Sequence, residues 1–151
     1  MSWKPDITVA AIVADADRFL IVEEQIRGRR VFNQPAGHVE DGESLLAAVA
    51  RETLEETAWH FEPEWLLGIY TWHSPTSARS TMRFAFTGRV STHDPSRQLD
   101  RPIIAAHWLR REQLLEPSRV LRTPLVLRCI DDYLAGRRLP LSAVSDAAIS
   151  T

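Results

Sequence analysis

The apolar positions of the chain fall first into short, strand-like runs. Residues 7–14 and 19–24 are rich in β-branched and large apolar side chains, and Asp15, Ala16 and Asp17 between them suit a tight turn. The pattern predicts an opening hairpin. A polar loop containing Gly28 follows, then a short strand over 31–34 that ends at Pro35, and a loop over 37–42. From Ser44, a good N-cap, the run LLAAVARETLEET consists largely of helix formers without Gly or Pro, which predicts a helix. Residues 65–72 and 82–90 read as strands separated by a Ser/Thr/Pro loop over 73–81, and 103–109 is a third apolar run after a segment, 91–102, too polar for a core. Over 123–134 the apolar residues Leu125, Ile130 and Leu134 recur at helical spacing, and Gly136 stops the pattern. Strands, helix, strands, helix predicts an α/β class: a mixed β-sheet packed between helices, an α/β/α sandwich.

Composition narrows this reading. A chain of 151 residues, 44% hydrophobic and 25% charged, has the make-up of one globular domain, here taken as 1–151, and contains no repeat or linker that would divide it. No stretch reaches the ~18–20 apolar residues of a membrane helix, and the start, with Lys4 followed by Asp6, Asp15 and Asp17, reads as a first strand rather than a signal peptide. A single cysteine, Cys129, excludes an internal disulfide framework and a Cys-based zinc site, which makes a reducing cytoplasm the expected location. With a net charge of -2 no global field draws the chain to a nucleic-acid polymer or an anionic membrane. Seventeen of the eighteen basic residues are Arg. Phosphate recognition by guanidinium forks is one reading of that bias and plain coding bias is the other.

Chemistry concentrates on the predicted helix. Glu52, Glu55 and Glu56 stand at i, i+3 and i+4, so their side chains share one face within a fan of about 100°. Like charges at that spacing destabilise a helix, and a hard divalent cation offsets this naturally, because Mg²⁺ prefers carboxylate oxygens and keeps reactive waters. A solvated acidic face is the alternative for such a cluster taken alone. The surrounding residues change the weighing. From Gly37, GHVEDGESLLAAVARETLEETAW places Glu43, Arg51-Glu52 and Glu55-Glu56 at the spacing G-x5-E-x7-R-E-x2-E-E. That segment, 37–59, resembles the box of the Nudix hydrolases. Six fixed residues at a background of ~0.07 each match by chance in a chain this long with a probability of roughly 10⁻⁵. Two positions depart from the box: Thr53 fills a slot usually aliphatic, and Ala58 stands where a second Gly ends the helix in a left-handed conformation.

The resemblance extends through ITVAAIV, FLIVEE, FNQPAGHVE, Trp72 and RTPLVLRCIDDYLAGRRLPL to the phosphatase NudJ subfamily, with the C-terminal helix and tail over 121–151. It implies a Nudix-type sandwich and Mg²⁺-dependent hydrolysis, with Mn²⁺ as a substitute. The implied substrates are small molecules: nucleoside tri- and diphosphates, thiamine pyrophosphate and its hydroxymethylpyrimidine pyrophosphate precursor, with release of orthophosphate. By resemblance, Glu52 and Glu56 are the principal metal ligands, the carbonyl of Ala36 completes the site, and Glu55 is a further ligand or the base that activates water. Asp100 is an alternative base, and Glu43 with Arg51 is a structural ion pair. A monomer or a homodimer fits equally. Other Nudix substrates, such as an oxidised nucleotide or ADP-ribose, a silent nucleotide-binding module, and an acidic interaction helix are the competing readings.

Further residues carry two readings each. Arg27, Arg29 and Arg30 could meet substrate phosphates or form a solvated hairpin tip. Phe32 and Trp72 could stack on a base or fill the core. Asn33 and Gln34 could bind polar ligand edges or form a turn, and the five histidines have no metal-ligand spacing.

Overall fold

Side-chain alternation along β1 (Asp6–Ile12) explains the layering of the fold: Val9 and Ala11 point into one apolar core while Ala10 and Ile12 point into another. The computed structural model describes residues 2–146. Residues 147–151, the end of the expected tail, lie outside it. β1 sits inside a five-stranded sheet ordered β5 (Ala36–His38), β1, β7 (Ser80–His93), β6 (Trp59–His73) and β9 (Leu139–Pro140). Only the β1–β7 pairing is parallel, so the sheet is mixed. In the second sheet β3 (Arg18–Ile26) carries β8 (Ile103–Arg110) on one edge and β2 (Ala14–Asp15) and β4 (Arg29–Asn33) on the other.

Helix α1 (Leu45–Thr57) covers one face, its Ala48 and Val49 packing with Val9, Leu20, Leu66 and Phe86. On the other face α3 (Leu125–Leu134) lays Val126, Cys129 and Ile130 against Ile12, Ile21 and Leu67. A four-residue helix, α2 (Arg111–Leu114), links β8 to the segment before α3. The layers are those the order of elements predicts: α/β with a mixed sheet between helices.

Three local expectations change. The opening hairpin is only the two-residue pairing of Ala14–Asp15 with Arg18–Phe19, because residues 6–12 cross into the other sheet and run parallel to β7. Gly37 and His38, read as the start of a loop, pair with β1 together with Ala36. The backbone of that segment finds its partners there, and the chain is thereby fixed beside α1. β6 and β7 are also longer than their apolar runs, since their polar ends pair with each other in a ladder from Trp59–His93 to His73–Ser80.

Candidate active site

The helix that carries the glutamates is capped as its sequence predicts. Ser44 Oγ accepts the Ala47 N–H at 3.1 Å, and Ala58 at the far end has φ 62° and ψ 14°, its N–H donating to Leu54 O at 2.9 Å. A non-glycine residue therefore does occupy the left-handed closing position. Thr53 is fully buried in its aliphatic slot because its hydroxyl donates to Val49 O at 2.7 Å, which satisfies the one polar atom.

The loop before α1 is tied to it by Arg51. Its Nε and Nη2 donate to the two oxygens of Glu43 at 2.7 and 2.9 Å, and Nη2 also reaches His38 O at 3.0 Å. The Arg51 hydrogen bonds hold the Glu43 carboxyl below its usual range. The same arginine donates from Nη1 to Glu52 at 3.0 Å and to Glu55 at 3.1 Å. Its pKa is raised, chiefly by the bonds to Glu43.

The three box carboxyls are held differently. Glu52 rests against Gly37 so closely that a Cβ built there would lie 2.1 Å from Glu52 Cδ, which requires glycine at that position. Burial pushes its pKa up. Burial also raises Glu55, and the neighbouring Asp100 carboxyl adds to the effect; the Asp100 N–H donates to Glu55 O at 2.9 Å. Glu56 is only 7% exposed, accepts the Ala36 N–H at 2.8 Å, and is pushed by burial up to about 9. Helix angles alone pair Glu56 with Glu52. The hydrogen bonds divide them otherwise, with Glu52 and Glu55 sharing Arg51 Nη1 and Glu56 turned to the Ala36 amide.

Sequence reasoning missed two further buried charged groups, of which Glu24 borders this cluster. Glu24, 2% exposed on β3, accepts from Arg122 Nη1 at 2.6 Å, and both charges act on Glu56. Arg83, 4% exposed on β7, donates to Gln34 Oε1 at 2.8 Å and to Asn33 Oδ1 at 2.9 Å, while its Nε has no partner among the described residues. Asn33 ends β4 and Gln34 follows it rather than forming a turn, and their amide oxygens accept from this buried guanidinium.

Ala36, Gly37, Glu43, Arg51, Glu52, Glu55, Glu56 and Asp100 are thus brought together. Arg29 lies exposed on the β3–β4 hairpin, whose turn is Arg27 and Gly28 with φ 50° and 76°, and Arg30 pairs with Glu23. Phe32 is buried in the α3-side core with Arg119 over its ring at 5.6 Å, and half-buried Trp72 packs on the same core. Phe32 therefore takes the core alternative.

Among the described residues no three acidic, His or Cys groups already close around one point. The donor set still suits a hard cation: every available donor is an oxygen, and the three glutamates have raised pKa values that a nearby positive charge relieves. Mg²⁺ in particular takes one or two carboxylates with waters and substrate phosphates rather than a closed protein cage.

Comparison with known proteins places this geometry. A family model described as NUDIX domain matches residues 4–128. The chain is 38% identical over 144 residues to the Phosphatase NudJ of Escherichia coli strain K12, covering 95% of this chain and 93% of that one. It is 44% identical to the solved NUDIX hydrolase from Nitrosomonas europaea, with a TM-score of 0.94 over 97% of this chain and 100% of the other. At 17% identity and a TM-score of 0.70, the NUDIX domain of Shewanella oneidensis NrtR complexed with ADP ribose shares the fold over 89% of this chain and 90% of its own.

Proposed function

From the premise that this chain belongs to the Nudix family and is a hydrolase of phosphoanhydride bonds, we propose that it is a Mg²⁺-dependent phosphatase of small pyrophosphate compounds. Its substrate class is nucleoside tri- and diphosphates together with the thiamine-pathway pyrophosphates, and it releases orthophosphate. The observation that carries the proposal is the run of Glu52, Glu55 and Glu56 on one helix face, all with pKa values above their usual range and Glu52 seated on Gly37. The similarity to a protein named Phosphatase NudJ supports orthophosphate as the product.

In this reading Glu52, Glu56 and the carbonyl of Ala36 hold Mg²⁺, with Mn²⁺ as a substitute, and the ion when bound neutralises phosphate charge and supplies activated water. Glu55 takes the proton of the attacking water. Burial and the adjacent Asp100 charge raise its proton affinity, which suits a general base. Asp100, whose backbone N–H donates to Glu55 O, is the alternative acceptor. Glu43 fixes Arg51, and Arg51 in turn fixes the directions of Glu52 and Glu55. Trp72 and Arg29 remain the proposed contacts for the base and the distal phosphates. Catalysis then rests on position and charge, as phosphoryl transfer generally requires. The enzyme works on diffusible substrates in the cytoplasm.

A substrate panel tests this directly. Nucleoside di- and triphosphates, thiamine pyrophosphate, hydroxymethylpyrimidine pyrophosphate and ADP-ribose are incubated with Mg²⁺ or with chelator, and orthophosphate is scored against pyrophosphate and nucleoside monophosphate. Orthophosphate from the first groups in Mg²⁺ alone is the expected result. Turnover of ADP-ribose alone would move the substrate assignment, and no turnover with Mg²⁺ or Mn²⁺ would favour a binding module.

A further inference from the structure

The carboxyl cluster has two arginines, and they are held in opposite ways. Arg51 is committed, with bonds to Glu43, the His38 carbonyl oxygen, Glu52 and Glu55. Arg122 donates one side-chain hydrogen bond among the described residues, from Nη1 to Glu24, and its side chain is 44% exposed. A guanidinium carries five N–H donors, so most of those of Arg122 are uncommitted.

Its backbone, in contrast, is anchored. The Arg122 N–H donates to Phe32 O at 2.9 Å, the Phe32 N–H donates to Val120 O at 2.8 Å, and Leu121 bridges Phe32 in parallel. This adds a short strand-like segment to the edge of β4, the strand that runs on through Gln34 and Pro35 to Ala36. The guanidinium therefore stands on a fixed base, paired with buried Glu24, against the segment that leads four residues on from Phe32 to Ala36, whose N–H holds the Glu56 carboxyl.

A phosphoanhydride brings two or more negative charges to a site already holding Glu24, Glu52, Glu55, Glu56 and Asp100. A cation with free donors is needed at its rim, and a guanidinium fork matches two phosphate oxygens at once. We infer that Arg122 is a substrate-binding residue that makes a bidentate contact to a phosphate group. With Nη1 kept on Glu24, Nε and Nη2 are available to the phosphate, so binding leaves the buried acid covered. Glu24 acts here as a positioning residue that aims the guanidinium.

This inference rests on the phosphoanhydride reading, and the test separates the two. The structural alternative is that Arg122 serves only to neutralise buried Glu24, whose exposure as an unpaired charge would destabilise the fold. Three variants, Arg122→Lys, Arg122→Gln and the double Glu24→Gln/Arg122→Gln, are compared with wild type by thermal unfolding. KM and kcat are measured on the best panel substrate. Binding of methylenediphosphonate, the uncleavable core of a diphosphate, is measured by calorimetry at fixed free Mg²⁺. The double variant removes both charges and restores stability. We expect it, and Arg122→Lys, to show KM and the methylenediphosphonate Kd raised about ten- to hundredfold, with kcat changed far less. Recovery of wild-type affinity together with stability in the double variant overturns the inference, as does wild-type affinity in Arg122→Lys. A wild-type protein that hydrolyses nothing in the panel but binds methylenediphosphonate through Arg122 supports the inference while the proposed activity fails. A wild-type protein that does not bind methylenediphosphonate overturns it.

Discussion

Glu56 ties the chemistry of the site to the stability of the fold. Its carboxyl is 7% exposed, has one backbone N–H for a partner, and is pushed by burial from 4.5 up to about 9. In the unfolded chain the same group is ionised above about 4.5. In metal-free protein folding therefore takes up a proton between these values. The stabilising effect is complete below the unfolded pKa and is lost as pH rises toward the folded one. Each pH unit in that window costs about 1.4 kcal/mol, so at pH 7 the burden is about 3 kcal/mol, or roughly 6–12 °C in melting temperature for a chain of this size. Glu52 and Glu55, also raised by burial, add to the slope with the same sign. Glu56→Gln keeps the volume and the acceptor for the Ala36 N–H but removes the titration. Thermal unfolding in chelator from pH 5 to 9 should give a flatter curve for Glu56→Gln than for wild type. The two should lie close near pH 5, with the variant several degrees higher at pH 8. Added Mg²⁺ should raise the wild-type melting temperature more at pH 8 than at pH 5.5. A variant that melts below wild type at pH 8, or that runs parallel to it at every pH, would refute the reasoning, because Glu56 would then be ionised at no cost in the fold.

Three other substitutions probe the supports of the site. Ala58→Gly relieves a left-handed alanine at the expense of one buried methyl, so stability should rise by up to about 1 kcal/mol; a lower melting temperature would show that the methyl matters more than the strain. Gly37→Ala forces a Cβ into the Glu52 carboxyl and should lower turnover about a hundredfold while circular dichroism stays native; near wild-type rates would mean that the position of Glu52 is unimportant. Arg83→Met leaves the amide oxygens of Asn33 and Gln34 buried without their donor and should cost about 3 kcal/mol in denaturant unfolding; an equally stable variant would show that the amides find other partners.

What the sequence disclosed follows from how local each feature is. α1 is set by its N-cap, its helix formers and its closing residue, all within fifteen or so positions, and it appears within a residue of expectation at Leu45–Thr57. The Glu43–Arg51 pair lies within the same helix and its leading turn, and the resemblance to the Nudix box implied it. The partition of the early strands between two sheets was not, since the partners of β1 lie more than 70 residues away in β7 and the turn at residues 15–17 gives no sign of the crossing. Glu24 and Arg83 read as polar interruptions of apolar strands. Their burial depends on Arg122, 98 residues on, and on Asn33 and Gln34, about 50 residues back, and no spacing encodes such partners. The weak signal available was a charged residue at an inward position of an otherwise apolar strand, which is rare without a compensating group.

The central claim is that the box glutamates hold the catalytic cation and divide its work. Orthophosphate release at saturating substrate, titrated against free Mg²⁺, measures this for wild type, Glu56→Gln and Glu55→Gln, with circular dichroism to establish that each is folded. Wild type should be silent in chelator and saturate with Mg²⁺. Glu56→Gln should require at least about tenfold more Mg²⁺ and reach a lower plateau, since a neutral amide replaces a charged ligand. Glu55→Gln should keep the wild-type midpoint and lose only the plateau. Near wild-type activity of Glu56→Gln at low Mg²⁺ would contradict the account, because the cation would then be held elsewhere.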